Sequence, residues 1–516
     1  MKGAVGGEMG FGDWSLSHVS RKREGPAICF TSHGERGVGT PDSELRNGWV
    51  RLREHRSSGG GEMTEEKLRR ELGLREASAI VVGTIIGTGI FIVPNTIARQ
   101  VEAPGLVFAV WILAGGLSLL GALTYAELGA AFSRVGGEYV YLRLAYGPLW
   151  GFLYGWTQFL VIKTGSIAAL AAGFAIYLGH FLPLSERAGK AVAIASILLL
   201  SLVNSRGVRV GGLLQTGLTL LKVAIILGIV GLAFIRAEGT AAHYRPILPE
   251  GEREGWFGRF GLAMVAALWA YDGWNNVTMV AGEVAHPART IPRALVAGTL
   301  VVILVYLLAN LAYFYVLPTE AIRASERVAA DVVEHVLGPP GAAIVSLAIL
   351  ISILGALNGS ILSGARIFYA MAADGLFFKK VALVHERFRV PHVAIWAQAV
   401  WASLLAASGT YEQLFTYVIF AAWIFYGLTA VGCLVLRRRC SEIERPFRAP
   451  GYPFSPLLFG GLALLLTVSA FVGAPRESAI GLGIMLSGLP AYTLWTRKLK
   501  GEAMSEPDLT PPASSG

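Results

Sequence analysis

From about residue 76 onward the sequence is a succession of apolar stretches, each close to the roughly 20 residues that cross about 30 Å of hydrocarbon as a helix. About twelve can be read, near 76–100, 105–132, 149–182, 188–204, 211–236, 259–282, 293–317, 340–372, 393–408, 412–436, 455–473 and 477–496. Composition agrees: 54% of the 516 residues are hydrophobic and only 15% charged, where a soluble domain carries about 25% charged residues. The mean hydropathy is +0.55. The expected fold class is an all-α polytopic membrane protein of about 12 transmembrane helices. The longer connections, 237–258 and 318–339, are polar with mixed charge, and neither has the length of a soluble domain.

The 44 Lys+Arg against 35 Asp+Glu give a net charge of +9. These basic residues sit between apolar blocks instead of forming one stripe, which argues against a nucleic-acid partner. Their placement reads as topology. Lys67, Arg69, Arg70 and Arg75 precede the first span, alternate loops after it collect Lys and Arg, and Arg497, Lys498 and Lys500 follow the last. Both termini are therefore expected to be cytoplasmic. Residues 1 to about 63 are polar and Gly-rich and contain no apolar run long enough for a signal peptide or a span. They read either as a disordered cytoplasmic tail or as the product of a start placed too early. Met63 follows Gly59-Gly60-Gly61-Glu62, whose codons could contain a purine-rich ribosome-binding site. Residues 64–500 form the expected membrane domain and 501–516 a second cytoplasmic tail. Cys29, Cys433 and Cys440 make neither a disulfide framework nor a metal-site spacing, so no metal or cofactor is expected.

Two apolar stretches carry breaks. Span 1 reads Gly83-Thr84-Ile85-Ile86-Gly87-Thr88-Gly89-Ile90-Phe91, and glycines one residue apart weaken a helix that has no water to repair its backbone bonds. The competing explanation is close helix packing on a small-xxx-small face of Gly83 and Gly87. Span 6 reads Trp269-Ala270-Tyr271-Asp272-Gly273-Trp274-Asn275-Asn276. An acid at that depth should face a cavity or a cation, or else be a protonated structural group. The breaks fall five spans apart, as if spans 1–5 (about 76–236) and 6–10 (about 259–436) were inverted repeats, each led by a discontinuous helix, with extra helices over 455–496. Such breaks leave free N–H groups on one half-helix and free carbonyls on another, which suits a zwitterion. A carboxylate can take the N–H groups around Gly87, Thr88 and Gly89, and an ammonium the carbonyls near Ile85 and Trp269. Asn275, in the same polar cluster, joins the candidate substrate-binding set.

Lys222 lies 13 residues beyond Arg209, hence roughly 20 Å along a helix and too deep to reach the surface easily. Its ammonium can bridge carbonyls of an unwound span 1 or pair with some buried polar group. Lys163 is similarly deep and reads as structural. Glu127 reads as a structural acid facing the bundle. Asn358, Ser360 and Ser363 can line a cavity or bond helix to helix.

These residues carry a resemblance. Gly83 to Phe91 resembles the Gly-Thr-Ile-Ile-Gly-Ser-Gly-Ile-Phe signature of the L-type amino acid transporter family, within the amino acid–polyamine–organocation superfamily, with Thr88 in place of the common serine. Thr124 to Gly129, Gly136 to Tyr139, Glu283 with His286 to Ala294, and Trp423 to Thr429 followed by Arg437 are similar to that family too. The resemblance implies twelve helices in the leucine-transporter-type inverted-repeat fold, alternating access, and sodium-independent amino acid transport, usually by exchange. It implies Thr88 and Gly89 at the substrate carboxylate, and the carbonyls of Ile85, Trp269 and Asp272 at the amino group. Trp269 would be the gate that closes over the substrate from outside, and Lys222 would stand at the former sodium site. Asp272 matches an acid of members similar to the cystine and dibasic exchanger, which points to cationic as well as neutral substrates. Animal members join a glycoprotein heavy chain through a cysteine between spans 3 and 4. Here that loop, His180 to Lys190, has none, so no disulfide-linked heavy chain is expected. The chain resembles the stand-alone bacterial members, which places it in the cell (inner) membrane.

A polytopic membrane enzyme would need a catalytic constellation. The nine histidines fall in tails, loops or span edges, without a metal-ligand or nucleophile motif. A channel or an amino acid sensor on the same scaffold is a second rival. Among carriers, proton-coupled uptake competes with exchange, because Lys222, Asp272 or Glu127 could cycle a proton; the resemblance favours exchange.

Overall fold

The computed structural model describes residues 68–505, except 180, 237–238, 250–255, 326, 409–410 and 474. The expected tail over residues 1–63 lies outside the described residues, as do 506–516. Among the described residues twelve helical spans follow one another: span 1 over Leu74–Val101, span 2 Pro104–Ala131, span 3 Pro148–Leu178, span 4 Glu186–Asn204, span 5 Val208–Arg236 and span 6 from Trp256 to Met279. Span 7 is Pro287–Val316, span 8 Pro339–Ala373, span 9 His392–Ser408, span 10 Tyr411–Arg439, span 11 Phe454–Gly473 and span 12 Pro475–Ser505. Span 12 thus runs past the expected end near 496 and into the residues read as a tail. Among the described residues, nine helices are long and apolar enough to cross a membrane, and Gly258–Ala270 and His392–Ser408 are shorter apolar helices.

Local sequence sets the span starts. Pro104, Pro148, Pro287 and Pro339 each open a helix at its first turn, where the missing N–H costs nothing and φ is already helical. Span 4 is capped by Ser185, whose Oγ accepts from Ala188 N at 3.3 Å. Large side chains such as Leu199, Leu220, Leu304 and Leu464 point outward with 59–67% exposure, a belt suited to a lipid surround.

The packing repeats with an offset of five. Span 1 packs on span 7 as span 6 packs on span 2. Span 3 meets span 10 as span 8 meets span 5, and span 4 meets span 8 as span 9 meets span 3. Spans 2 and 7, 3 and 8, and 4 and 9 pair directly. Five is odd, so the second set of spans runs opposite to the first, as the inverted-repeat reading requires.

Both leading helices are broken. Span 1 consists of Leu74–Ile85 and Gly89–Val101, and span 6 of Trp256–Ala270 and Asn276–Met279 with turn backbone between them. At the face where the chain enters span 1, Leu72 N donates to Glu283 O at 3.0 Å and Ala285 N to Leu72 O at 2.8 Å. This parallel bridge, Leu72 to Val284, ties the start of span 1 to the segment after span 6. Glu283 also receives a two-pronged bond from Arg366 of span 8, at 2.7 and 3.1 Å, with both side chains buried.

Candidate functional site

The two breaks meet. Thr84 Oγ1 donates to Gly273 O at 2.8 Å, and Tyr306 of span 7 holds its hydroxyl 3.1 Å from Ile85 O and 3.0 Å from Ala270 O. Two glycines make this approach feasible. A Cβ on Gly89 would lie 2.7 and 2.8 Å from the Cβ and Cα of Ala270, and Gly273 adopts φ +109° against Thr84. Gly83 has a different use: a Cβ there would strike the Thr219 and Gln215 side chains of span 5. Close packing therefore explains Gly83, whereas a Cβ on Gly87 would meet nothing nearer than 3.7 Å.

A cavity opens between the breaks. Its lining includes Ile85, Gly87, Thr88, Gly89, Trp269, Asp272 and Asn275, all singled out in the sequence, together with Gln158, Lys163, Asn276, Ser360 and Tyr426. The second half of span 1 begins at Gly89, so its N-terminal dipole end faces the cavity, an arrangement that favours a carboxylate. On the other side, Trp269 O accepts from Asp272 N at 3.0 Å, and Ile85 O lies within reach of Tyr306 Oη. Ile85 O also accepts from Gly87 N at 2.8 Å. The Asp272 carboxylate takes a 2.8 Å bond from Tyr426 Oη of span 10.

Lys222 sits beside the cavity and is absent from its lining. Its Nζ donates to Gly83 O at 2.9 Å, Ile86 O at 2.6 Å and Ser352 O at 2.7 Å. Ser352 Oγ lies 3.1 Å from both Ile86 O and Gly87 O. The ammonium thus satisfies carbonyls that the break leaves without helical partners and joins spans 1, 5 and 8. Three carbonyl oxygens thus surround one positive charge.

Other residues fall where the sequence left a choice. Glu127 is a structural acid: Arg437 grips it, Arg445 lies at 3.2 Å, and Ala449 N donates at 2.8 Å. Asn358 bonds helix to helix, through Gln215 at 2.9 Å and Asn204 at 2.8 Å, and Ser363 turns back to its own helix. Of those three only Ser360 lines the cavity. Asn275 lines it with its amide already engaged, because Nδ2 donates to buried Glu138 at 3.1 Å. Glu138 also receives the Tyr125 hydroxyl at 2.6 Å and that of Tyr154.

Lys163, read from sequence as structural, both bonds a neighbouring helix and lines the cavity, its Nζ donating to Asn276 Oδ1 at 2.6 Å. Just before it, span 3 widens into a π-turn over Gln158–Ile162, the kind of local expansion that helices carry at functional sites. The depth of its charge was the available signal. Tyr306 and Gln158 were missed, since a lone tyrosine or glutamine in an apolar run carries no such mark.

Comparison with known proteins agrees with this geometry. The amino acid permease family profile matches residues 72–494. The b(0,+)-type amino acid transporter 1 of Homo sapiens is 34% identical over 463 residues, covering 88% of this chain and 93% of its own. The serine/threonine exchanger SteT of Bacillus subtilis (strain 168) is 31% identical over 428 residues, or 82% of this chain and 96% of its own. The cystine/glutamate transporter of Homo sapiens is 31% identical over 440 residues, or 84% and 87%. With a family match across most of its length and relatives of this similarity, the chain belongs to the amino acid permease family, as its L-type motifs imply.

Proposed function

We propose that this protein carries amino acids across the cell (inner) membrane by alternating access, as a sodium-independent exchanger of neutral and also cationic amino acids. The observation that supports this most is the pair of helix breaks around one polar cavity, with the Lys222 ammonium on Gly83 O, Ile86 O and Ser352 O in the position a coupling cation would take. A relative named as an exchanger and others named as amino acid transporters support the substrate class and mode.

In this reading the N–H groups of Thr88 and Gly89 receive the substrate carboxylate, and the carbonyls of Ile85, Trp269 and Asp272 receive the amino group. The Trp269 ring closes over the substrate from outside. The Leu72–Val284 bridge and the Glu283–Arg366 pair close the cytoplasmic side, and they must part for release inward. Both termini are cytoplasmic, consistent with the loop charges, and no disulfide-linked heavy chain is needed.

The test is efflux of radiolabelled leucine from proteoliposomes in sodium-free medium. Exchange predicts rapid efflux only when an amino acid is supplied outside. Efflux that instead follows a pH gradient would replace exchange with proton-coupled transport, and unsaturable flux would indicate a channel.

A further inference from the structure

Among the described residues that line the cavity, two carry formal charge: Asp272 from the break in span 6 and Lys163 from span 3. Lys163 is 6% exposed and held to Asn276 Oδ1, four residues along from Asp272. The carboxylate of Glu138 lies behind the wall, closed off by Tyr125, Tyr154 and Asn275. Lys222 is occupied by three carbonyls outside the lining. The walls therefore present one positive and one negative charge to whatever side chain the substrate carries.

We infer that Lys163 sets the charge preference of this cavity. By balancing Asp272 it makes the side-chain region electrically neutral, so uncharged side chains are accepted without penalty. A cationic side chain is admitted only as far as it can share Asp272 with a resident ammonium. In a poorly hydrated cavity an unbalanced charge attracts its opposite and repels its like far more strongly than in water. Removing the lysine charge exposes Asp272 and favours lysine-like side chains, and removing the aspartate charge leaves Lys163 to favour acidic ones. This inference rests on the reading of the cavity as an amino acid site and adds to it which side chains the site ranks first.

The experiment measures trans-stimulated uptake of leucine, lysine and glutamate into proteoliposomes by the wild-type protein and three variants. Lys163→Gln keeps a donor for Asn276 without the charge, Lys163→Arg keeps the charge, and Asp272→Asn removes the opposing one. The expected result is a lysine-to-leucine uptake ratio raised about tenfold by Lys163→Gln and little changed by Lys163→Arg, with a glutamate-to-leucine ratio raised by Asp272→Asn. A purely structural lysine would lower all three uptakes together and leave the ratios unmoved, which would overturn the inference. A ratio shifted equally by Lys163→Arg would overturn it too. If Lys163→Gln fails to reach the membrane, the Asp272→Asn arm decides, and an unchanged glutamate-to-leucine ratio there refutes it. Absence of leucine exchange in the wild-type protein would count against the transport reading itself.

Discussion

Lys222 and Lys163 are both buried, at 0% and 6% exposure, yet three main-chain carbonyls hold the first and a side-chain amide holds the second. A main-chain cradle exists only while the helix is broken in a particular way, so the Lys222 region is tied to conformation. A side-chain partner can be exchanged without altering the backbone, so the Lys163–Asp272 region is free to set selectivity. Substitutions in the first region should scale the transport of every substrate alike, and those in the second should change the ratios between substrates.

The largest effect should come from Lys222→Ala, which removes the ammonium shared by Gly83 O, Ile86 O and Ser352 O and leaves Ile86 O with Ser352 Oγ alone. Exchange of all amino acids is expected to fall about a hundredfold, because stranded buried polar groups cost about 1–3 kcal/mol each, while the protein still reaches the membrane. Full activity in a reconstituted assay would break the comparison at its stronger end. Asp272→Asn should lower lysine uptake about tenfold relative to leucine; equal losses for both would show that the carboxylate does not read side-chain charge. Tyr306→Phe removes the hydroxyl that joins Ile85 O and Ala270 O, and a uniform loss of about fivefold follows from one missing buried hydrogen bond. A change in substrate ranking would place Tyr306 with the selectivity region instead. The smallest effect is expected for Ser352→Ala. Lys222 still satisfies Ile86 O there, so initial rates should drop by about two- to threefold without a change in ranking.

The breaks themselves were legible because Gly87, Gly89 and the polar run from Trp269 to Asn276 stand out in apolar surroundings. The depth of Lys222 followed from counting residues at a fixed rise. Which way a helix turns a given side chain was not legible. Lys163 and Lys222 are similarly deep by residue count, and only the packed chain shows that Lys163, just after the π-turn at Gln158–Ile162, lines the cavity beside Asn276. The engagement of Asn275 was hidden for a related reason. Its partner Glu138 lies on the short helix Glu138–Tyr146 between spans 2 and 3, and only the packed chain shows that this helix brings a carboxylate beneath the break.

The central claim is that the two breaks divide the zwitterion between them, the carboxylate at the start of the second half of span 1 and the ammonium at the carbonyls opposite. It is tested most directly by competing leucine exchange with analogues stripped of one charge, leucinol without the carboxylate and 4-methylpentanoate without the amine. The account predicts that neither competes at concentrations where unlabelled leucine competes fully. Competition by either analogue as strong as that of leucine would contradict it.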